Sequence, residues 1–211
     1  MLIASDVPPA IPLWINGHAF LTMPSEFHNV CRRTDGRVLR RTPLCTAEIA
    51  GKAVDAARNA CPGWRALSGS ERRTLILGLK DAMLQYVDHF RILISEETGK
   101  TEAESGAEID AALAVLSDSS CPAESDSEDV VAVIGEAGAP LLGPLRVAVP
   151  ALLAGRAVIV KPDPATPSVL VALGELMGRH GFPPGVFNVV HGGEPVLAGL
   201  RGSRSVRVLF V

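Results

Sequence analysis

The pattern of hydrophobic positions changes near residue 130, after which short β-branched runs alternate with helical segments. Strands are predicted at 130–134, 157–161, 186–190 and 206–211. Helices are predicted at 141–154, 167–180 and 195–201. Strands that alternate with helices of this length predict crossover connections and a parallel sheet. The strands are apolar along their whole length, as expected of strands that are covered on both faces.

The first part of the chain predicts a hairpin followed by helices. Asn16 and Gly17 form a turn signal between two short apolar runs, which is typical of a β-hairpin. Apolar residues at helical spacing predict a helix over 47–60 that stops at Pro62 and Gly63. We therefore expect an arm and hairpin over residues 1–45 ahead of a helical segment.

The remaining helices have clearer boundaries. Ser68 and Glu71 fit a capping box, and an apolar stripe then predicts one helix that runs to about residue 98. Its predicted stripe consists of Leu75, Ile76, Leu79, Met83, Tyr86, Phe90 and Leu93. A further helix is predicted over 102–116, before a polar, acidic loop over 117–129. We expect one continuous domain whose helical part spans 46–129 and whose parallel βαβ units span 130–211.

Composition narrows the classes of partner. The chain of 211 residues is 47% hydrophobic but only 4% aromatic, which predicts an aliphatic core and an apolar surface for protein contacts. A formal net charge of -3 gives no reason to expect nucleic acid or an anionic membrane as partner. No uncharged apolar run of about 18 residues occurs, and the amino terminus lacks a secretion-signal pattern. The expected location is the cytoplasm.

The four cysteines do not form a metal or disulfide pattern. Cys31, Cys45, Cys61 and Cys121 are widely spaced, and no histidine stands at metal-ligand spacing from them. We interpret them as reduced thiols, and we expect no metal site.

Candidate ligand-binding residues follow the predicted strands. Ligands of open parallel sheets bind outside the carboxyl ends of the strands, where Lys161 would meet an anion or a ribose hydroxyl. His191 and Gly192 follow the next strand, and Gly192 could offer a backbone N–H to an anion. A lone histidine such as His191 is more often a satisfied or exposed side chain than a ligand partner.

Six short motifs, in a fixed order, resemble the amino-terminal half of the aldehyde dehydrogenase superfamily, with methylmalonate-semialdehyde dehydrogenases as the nearest branch. The motifs are Trp14-Ile15-Asn16-Gly17, Trp64 with Ser70-Glu71-Arg72, Glu97-Thr98-Gly99-Lys100, Pro150-Ala151-Leu152-Leu153-Ala154-Gly155, Lys161-Pro162, and Gly185-Val186-Phe187-Asn188-Val189-Val190-His191-Gly192. The resemblance implies a truncated Rossmann-type domain that binds NAD(P) without a G-x-G-x-x-G loop, and none is present. It makes Lys161, Asp163, Gly135, Ala137 and Gly192 the candidate cofactor-binding residues.

The chain departs from the family pattern at the residues that carry the chemistry. The resemblance implies that the catalytic cysteine and the water-activating glutamate lie in the half that this chain does not resemble, and no cysteine here falls at a matching position. Gly138 stands where the family has an asparagine that donates to the oxyanion. Such a donor is worth about 10²–10³ in rate. We therefore expect no catalytic residue, with Glu136 and His191 as weak acid or base candidates.

The cofactor site is also altered. Pro164 stands where the family has a glutamate that holds a ribose, and Asp163 offers a carboxylate one residue too early. The last predicted strand reaches Val211, so we expect the family's F-T-G-S turn beside the nicotinamide to be missing. We expect no tightly bound cofactor, and we expect Pro164 to weaken the binding of NAD or NADP.

Three functions remain open from the sequence. The favoured one is a noncatalytic protein that acts through contacts as a partner, scaffold or stabiliser, either as a homo-oligomer or with another protein. The alternative is the NAD(P)-binding half of a split dehydrogenase. A second alternative is a repurposed enzyme that uses the crevice near Gly138, with Glu136 or His191 as acid or base.

Overall fold

The structure is a computed structural model that describes residues 7–117 and 129–211. Most of the predicted acidic loop, and Cys121 with it, lies outside the described residues. The strands are β1 (Leu13–Ile15), β2 (His18–Phe20), β3 (Phe27–Cys31), β4 (Val38–Pro43), β5 (Val130–Ile134), β6 (Ala157–Lys161), β7 (Phe187–Val189) and β8 (Val206–Phe210). The helices are α1 (Ala47–Ala66), α2 (Gly69–Gln85), α3 (Val87–Thr98), α4 (Glu102–Ser117), α5 (Leu142–Leu153), α6 (Ser168–Arg179) and α7 (Glu194–Arg201).

Six strands form the main sheet in the order β2-β1-β7-β6-β5-β8. The pairs β5–β6, β5–β8 and β6–β7 are parallel, which confirms the predicted βαβ arrangement. The hairpin β1–β2 adds antiparallel to β7 through the pair Trp14 and Val189. Asn16 and Gly17 both have positive φ, as a tight hairpin turn requires. β3 and β4 form a separate two-stranded sheet.

The main sheet is buried on both faces because consecutive strand residues point to opposite sides. One face carries Ala132 and Ile159 against apolar residues of α1 and α7. The other carries Val133 and Val160 against α2 and α4 to α6. This alternation places Lys161, two residues after Ile159, on the α1–α7 side of the sheet.

The division of the chain into an arm and hairpin (1–45), a helical part (46–129) and parallel βαβ units (130–211) stays a prediction.

Two helix predictions were wrong. The first helix does not stop at Pro62 and Gly63 but continues to Ala66. Its last turn is fixed by tertiary contacts, since Trp64 is buried and its Nε1 donates to the carbonyl of Leu152 at 2.9 Å. Packing of this kind overrides a weak local signal.

The predicted long helix over residues 68–98 is two helices, α2 and α3. The Ser68–Glu71 capping box is present, but the chain breaks at Tyr86, whose φ of -117° and ψ of 18° are not helical. Tyr86 is also exposed rather than part of the buried stripe. The break turns α3 so that Phe90 and Ile94 reach the core. No helix in the described ranges has both the length and the apolar character that a membrane crossing needs.

Candidate functional site

Four parallel strands bring their carboxyl ends to one edge of the main sheet. The chain runs from β5 through β6 to β7 on one side, and then places β8 on the other side of β5. Such a reversal of strand order creates a crevice that is the usual ligand site of open α/β sheets. The candidate site residues predicted from the sequence lie here: Lys161 is the last residue of β6, and the others lie in the turns that follow β5, β6 and β7.

Lys161 ends β6 and is only 7% exposed. Within the described residues, its Nζ donates one hydrogen bond, to the carbonyl of Pro162 at 3.4 Å. Burial lowers the pKa of Lys161, and the charges of Asp163 and Glu194 oppose that shift. A buried ammonium with a single long hydrogen bond is energetically unfavourable unless further acceptors reach it.

His191 follows β7 and is 1% exposed. Its Nε2 lies 3.0 Å from the carbonyl oxygen of Pro12, while its buried Nδ1 has no hydrogen-bond partner among the described residues. The pKa of His191 is lowered to about 4, mainly by burial; the contact with the Pro12 carbonyl opposes this shift, and the charge of Lys161 adds to it. With a pKa in this range, His191 is neutral at pH 7.

The turn after β6 is held by its own hydrogen bonds. Oδ1 of Asp163 accepts from the backbone N–H of Ala165 at 2.8 Å. Oγ1 of the buried Thr42 donates to the carbonyl of Pro164 at 2.8 Å. The Asp163 carboxylate therefore stabilises the turn in which it lies. The side chain of Pro164 has no hydrogen-bond acceptor that could replace the family's carboxylate.

The turn after β5 contains Gly135, Glu136, Ala137 and Gly138, and its hydrogen bonds come from elsewhere in the chain. The N–H of Gly135 donates to the carbonyl of Lys161 at 2.9 Å, which ties this turn to β6. Glu136 is exposed and Ala137 is half-buried. A Cβ built on Gly138 would meet only Oε1 and Cδ of Glu136 at 3.6 and 3.9 Å, so this position has space for a side chain.

A polar group that sequence reasoning did not single out fixes the turn after β5. Nζ of Lys100 donates to the carbonyl of Gly138 at 2.7 Å and forms an ion pair with the buried Glu108. Oε1 of Glu108 accepts from the N–H groups of Leu141 and Leu142 at 2.9 and 3.1 Å, at the start of α5. We call Lys100 and Glu108 the turn clamp. The Glu97-Thr98-Gly99-Lys100 motif was its only sequence signal.

Close packing explains why residue 192 is a glycine. A Cβ at this position would lie 2.4 Å from Cγ2 of Val196 and 3.0 Å from the carbonyl oxygen of Cys45. Its φ of 152° also lies where side chains are rarely accepted. Gly192 therefore lets the start of α7 pack closely against the chain at Cys45, just before α1.

The buried thiols are poor nucleophiles. Burial raises the pKa of Cys45 to about 11 and also raises the pKa of Cys61. Sγ of Cys61 donates to the carbonyl of Asp129 at 3.0 Å. Because the thiolate is the reactive form, neither residue is activated for attack on a carbonyl. Among the described residues, no group of three metal-ligating side chains comes together.

Two surface cavities of about 440 and 400 Å³ lie beside α3. The first is lined by residues of α3 and α6 with Tyr86, and the second by residues of α3 with Glu102. None of the residues nominated from the sequence lines either cavity. The choice of candidate site therefore rests on the position of those residues at the strand ends and not on either cavity.

Comparison with curated proteins finds relatives along almost the whole chain. Malonate-semialdehyde dehydrogenase 1 of Geobacillus kaustophilus is 28% identical over an alignment of 228 positions, which covers 99% of this chain and 47% of that protein. Succinate-semialdehyde dehydrogenase (NADP(+)) of Escherichia coli is 32% identical and covers 84% of this chain and 41% of that protein. The chain thus spans less than half the length of these two relatives.

Solved structures give the same result for the fold. Lactaldehyde dehydrogenase of Escherichia coli superposes with a TM-score of 0.86 at 28% identity, over 97% of this chain and 47% of that one. A methylmalonate-semialdehyde dehydrogenase of Oceanimonas doudoroffii has a TM-score of 0.87 at 23% identity, over 95% of this chain and 45% of that one, which supports the fold alone. The sequence profile of the aldehyde dehydrogenase family matches residues 21–211. The chain therefore belongs to the aldehyde dehydrogenase family and corresponds to the amino-terminal, Rossmann-type portion of its relatives.

Proposed function

We propose that this chain is the dinucleotide-binding half of an aldehyde dehydrogenase-type oxidoreductase. In this proposal it contributes to aldehyde oxidation only together with a polypeptide segment that supplies a reactive cysteine. The observation that carries the proposal is Lys161, a buried ammonium at the carboxyl end of a parallel strand with one hydrogen bond of 3.4 Å. A charge held in that state is stabilised when a ligand brings oxygen acceptors to it.

The residues of the crevice fit NAD(P) in part. Lys161 would donate to a ribose hydroxyl, and the bound nicotinamide would supply the hydride acceptor. Pro164 and Gly138 provide neither a ribose acceptor nor an oxyanion donor through their side chains. We therefore expect weak binding, with a Kd of about 0.1–1 mM. The related succinate-semialdehyde dehydrogenase of Escherichia coli is named for NADP(+), which supports testing both dinucleotides.

Two of the three described thiols are unsuited to the role of the catalytic cysteine. Cys45 and Cys61 are buried with raised pKa values, so neither forms the thiolate that covalent aldehyde oxidation requires. The relatives extend over more than twice the aligned length, which leaves the remaining machinery to the part they do not share with this chain. The role of the present residues is to bind and orient a dinucleotide.

Isothermal titration calorimetry with NAD and with NADP tests this proposal. We expect saturable heat from at least one of them at millimolar concentration. The absence of heat with both dinucleotides would contradict the proposal.

A second candidate function, protein contact without cofactor, is favoured by the edge strand β2. Phe20, Leu21 and Met23 are 40%, 69% and 84% exposed on or just after this strand. Exposed apolar edges of sheets recruit further strands. The partner would be a second copy of the chain or another protein. Sedimentation velocity of the chain and of its Phe20→Ser, Leu21→Ser variant tests the first case, and a monomer in both would contradict self-association.

A further inference from the structure

We propose that the cavity of about 440 Å³ between α3 and α6 binds a free α-amino acid with an aromatic side chain. Glu175 accepts from the ammonium group of this ligand, Arg179 donates to its carboxylate, and its ring packs on an apolar floor. We call this cavity the α3–α6 pocket. The inference is independent of the proposed dinucleotide function, because no candidate residue at the strand ends lines this pocket.

The α3–α6 pocket lies at the break between α2 and α3. Tyr86, the non-helical residue between these helices, forms one of its walls. Another wall is a single face of α6, because its lining residues stand at i, i+3, i+4 and i+7. These residues are Ala172, Glu175, Leu176 and Arg179. The volume of about 440 Å³ is within the range of small-molecule pockets, which is roughly 300–1,000 Å³.

The floor of the pocket is apolar and aromatic. Phe90 and Leu176 are only 2% and 5% exposed, and Ala172 is half-buried. The rings of His89 and Phe90 stand edge to face, with centroids 6.4 Å apart and planes at 80°. Together with Tyr86, they place three rings around the cavity. Aromatic rings favour offset or edge-to-face contact with one another, so these walls favour a flat ring over an aliphatic chain.

The rim of the pocket carries one pair of opposite charges. Nη2 of Arg179 lies 2.6 Å from Oε1 of Glu175, one helical turn away on α6, and both side chains are more than half exposed. Within residues 7–117 and 129–211, neither side chain makes another hydrogen bond or ion pair. Oε2 of Glu175 and the remaining N–H groups of Arg179 are therefore open to a ligand.

This charge pair selects a zwitterion. A lone carboxylate is attracted by Arg179 but repelled by the adjacent Glu175, and a lone amine meets the reverse arrangement. A free α-amino acid carries both charges on one carbon, so its ammonium can face Glu175 while its carboxylate faces Arg179. A peptide separates the two charges by about 3.5 Å more for each added residue, and so fits the pair less well. An aromatic α-amino acid satisfies the rim and the floor together.

The second cavity beside α3 lacks this arrangement. Its charged lining consists of three acids, Asp88, Glu96 and Glu102, and one base, Arg91. Arg91 lies 2.7 Å from Asp88 and 3.7 Å from Glu102, so its guanidinium is already paired with two carboxylates. The second cavity therefore serves as an internal comparison for the α3–α6 pocket.

Calorimetric titration of L-phenylalanine at pH 7.5 tests the ligand class. Because the charge pair is exposed, we expect saturable but weak binding, with a Kd of about 1 mM. N-acetyl-L-phenylalanine lacks the ammonium, L-phenylalaninamide lacks the carboxylate and L-alanine lacks the ring. Each is expected to bind at least about 5-fold more weakly. No heat with L-phenylalanine, or an analogue that binds as tightly, would overturn the inference.

Two variants assign the binding to the pocket. Arg179→Met removes the guanidinium of an exposed side chain and should weaken the binding of L-phenylalanine at least about 5-fold. The matched control is Lys52→Met, which removes an exposed i,i+4 pair with Glu48 on α1 and should leave the binding unchanged. Far-UV circular dichroism checks that both variants are folded. Equal affinity of the wild type and Arg179→Met, or an equal loss in Lys52→Met, would contradict the assignment.

Methyl NMR of the wild-type chain locates the ligand without any substitution. L-phenylalanine should shift the methyl resonances of Ala172 and Leu176 more than that of Ile92, which lines the second cavity. Binding with no shift at Ala172 and Leu176, or with a larger shift at Ile92, would place the ligand elsewhere and overturn the inference. The proposed dinucleotide function is tested separately, since none of these measurements involves NAD.

Discussion

Two lysines at the same edge of the sheet differ in how their charges are satisfied. The Lys100 side chain is 25% exposed, pairs with Glu108 and donates to the carbonyl of Gly138 at 2.7 Å. Lys161 is more buried, and its one hydrogen bond within the described residues is 3.4 Å long. Among the described residues, the first charge has a counter-ion and a short hydrogen bond, and the second has neither. A lysine of the first kind stabilises the fold, and in our proposal the second binds a ligand.

The largest effect on stability is expected from Lys100→Met. This change leaves the buried Glu108 carboxylate without its counter-ion, and breaking a buried pair in this way costs about 3 kcal/mol. Urea denaturation at pH 7.5 measures the loss. The matched control is Lys52→Met, which removes an exposed pair with Glu48 and should change stability by about 0.5 kcal/mol or less. Equal effects of the two changes would remove the distinction between structural and exposed charges.

A smaller effect is expected from the pH dependence that His191 contributes. Its pKa is about 4 in the folded chain against an ordinary value of 6.5, so the unfolded chain binds the proton first as pH falls. The stabilisation is complete above pH 6.5 and is lost as pH falls towards 4. Between pH 7.5 and 5 the wild type should lose about 2 kcal/mol more than His191→Gln does.

Urea denaturation of both proteins at the two pH values measures this difference. Other groups, including Glu97, titrate alike in both proteins and cancel. Parallel pH profiles for wild type and His191→Gln would mean that His191 is not held neutral.

The smallest effect on stability, and one of opposite sign, is expected from Lys161→Met. The change removes a buried charge that has no ion-pair partner at hydrogen-bond distance among residues 7–117 and 129–211, so the folded chain should become more stable by about 1 kcal/mol. Thermal unfolding of wild type, Lys161→Met and Lys100→Met in one buffer gives the comparison. A loss of stability in Lys161→Met would place Lys161 with the structural lysines.

The sequence was sufficient for the parallel sheet and for the position of Lys161 at the end of a strand, because both depend on local signals. Continuous apolar runs identify buried strands, and a lysine at the end of such a run lies at the edge where open sheets of this type bind ligands. Its role in binding stays a prediction. The two helix predictions failed where tertiary packing determines the helix boundary. For example, the hydrogen bond from the buried Trp64 to Leu152 stabilises the last turn of α1.

The hydrogen bonds of the site could not be derived from local signals. His191 and Pro12 are 179 residues apart in sequence, and Lys100 and Gly138 are 38 apart. The type of residue at position 191 suggested a satisfied or exposed histidine. In the part of the chain that the structure describes, Nε2 of His191 has a hydrogen-bond partner and Nδ1 has none. Sequence spacing likewise did not predict that Asp163 accepts a hydrogen bond from the backbone N–H of Ala165.

The most direct test of the central claim is calorimetric titration of NAD into wild type and Lys161→Met at pH 7.5. The account predicts measurable binding by the wild type and a Kd at least about 10-fold higher for the variant, although the variant is folded and at least as stable. Equal affinity of the two proteins, or no heat with either, would contradict the claim that the buried ammonium of Lys161 exists to bind a dinucleotide.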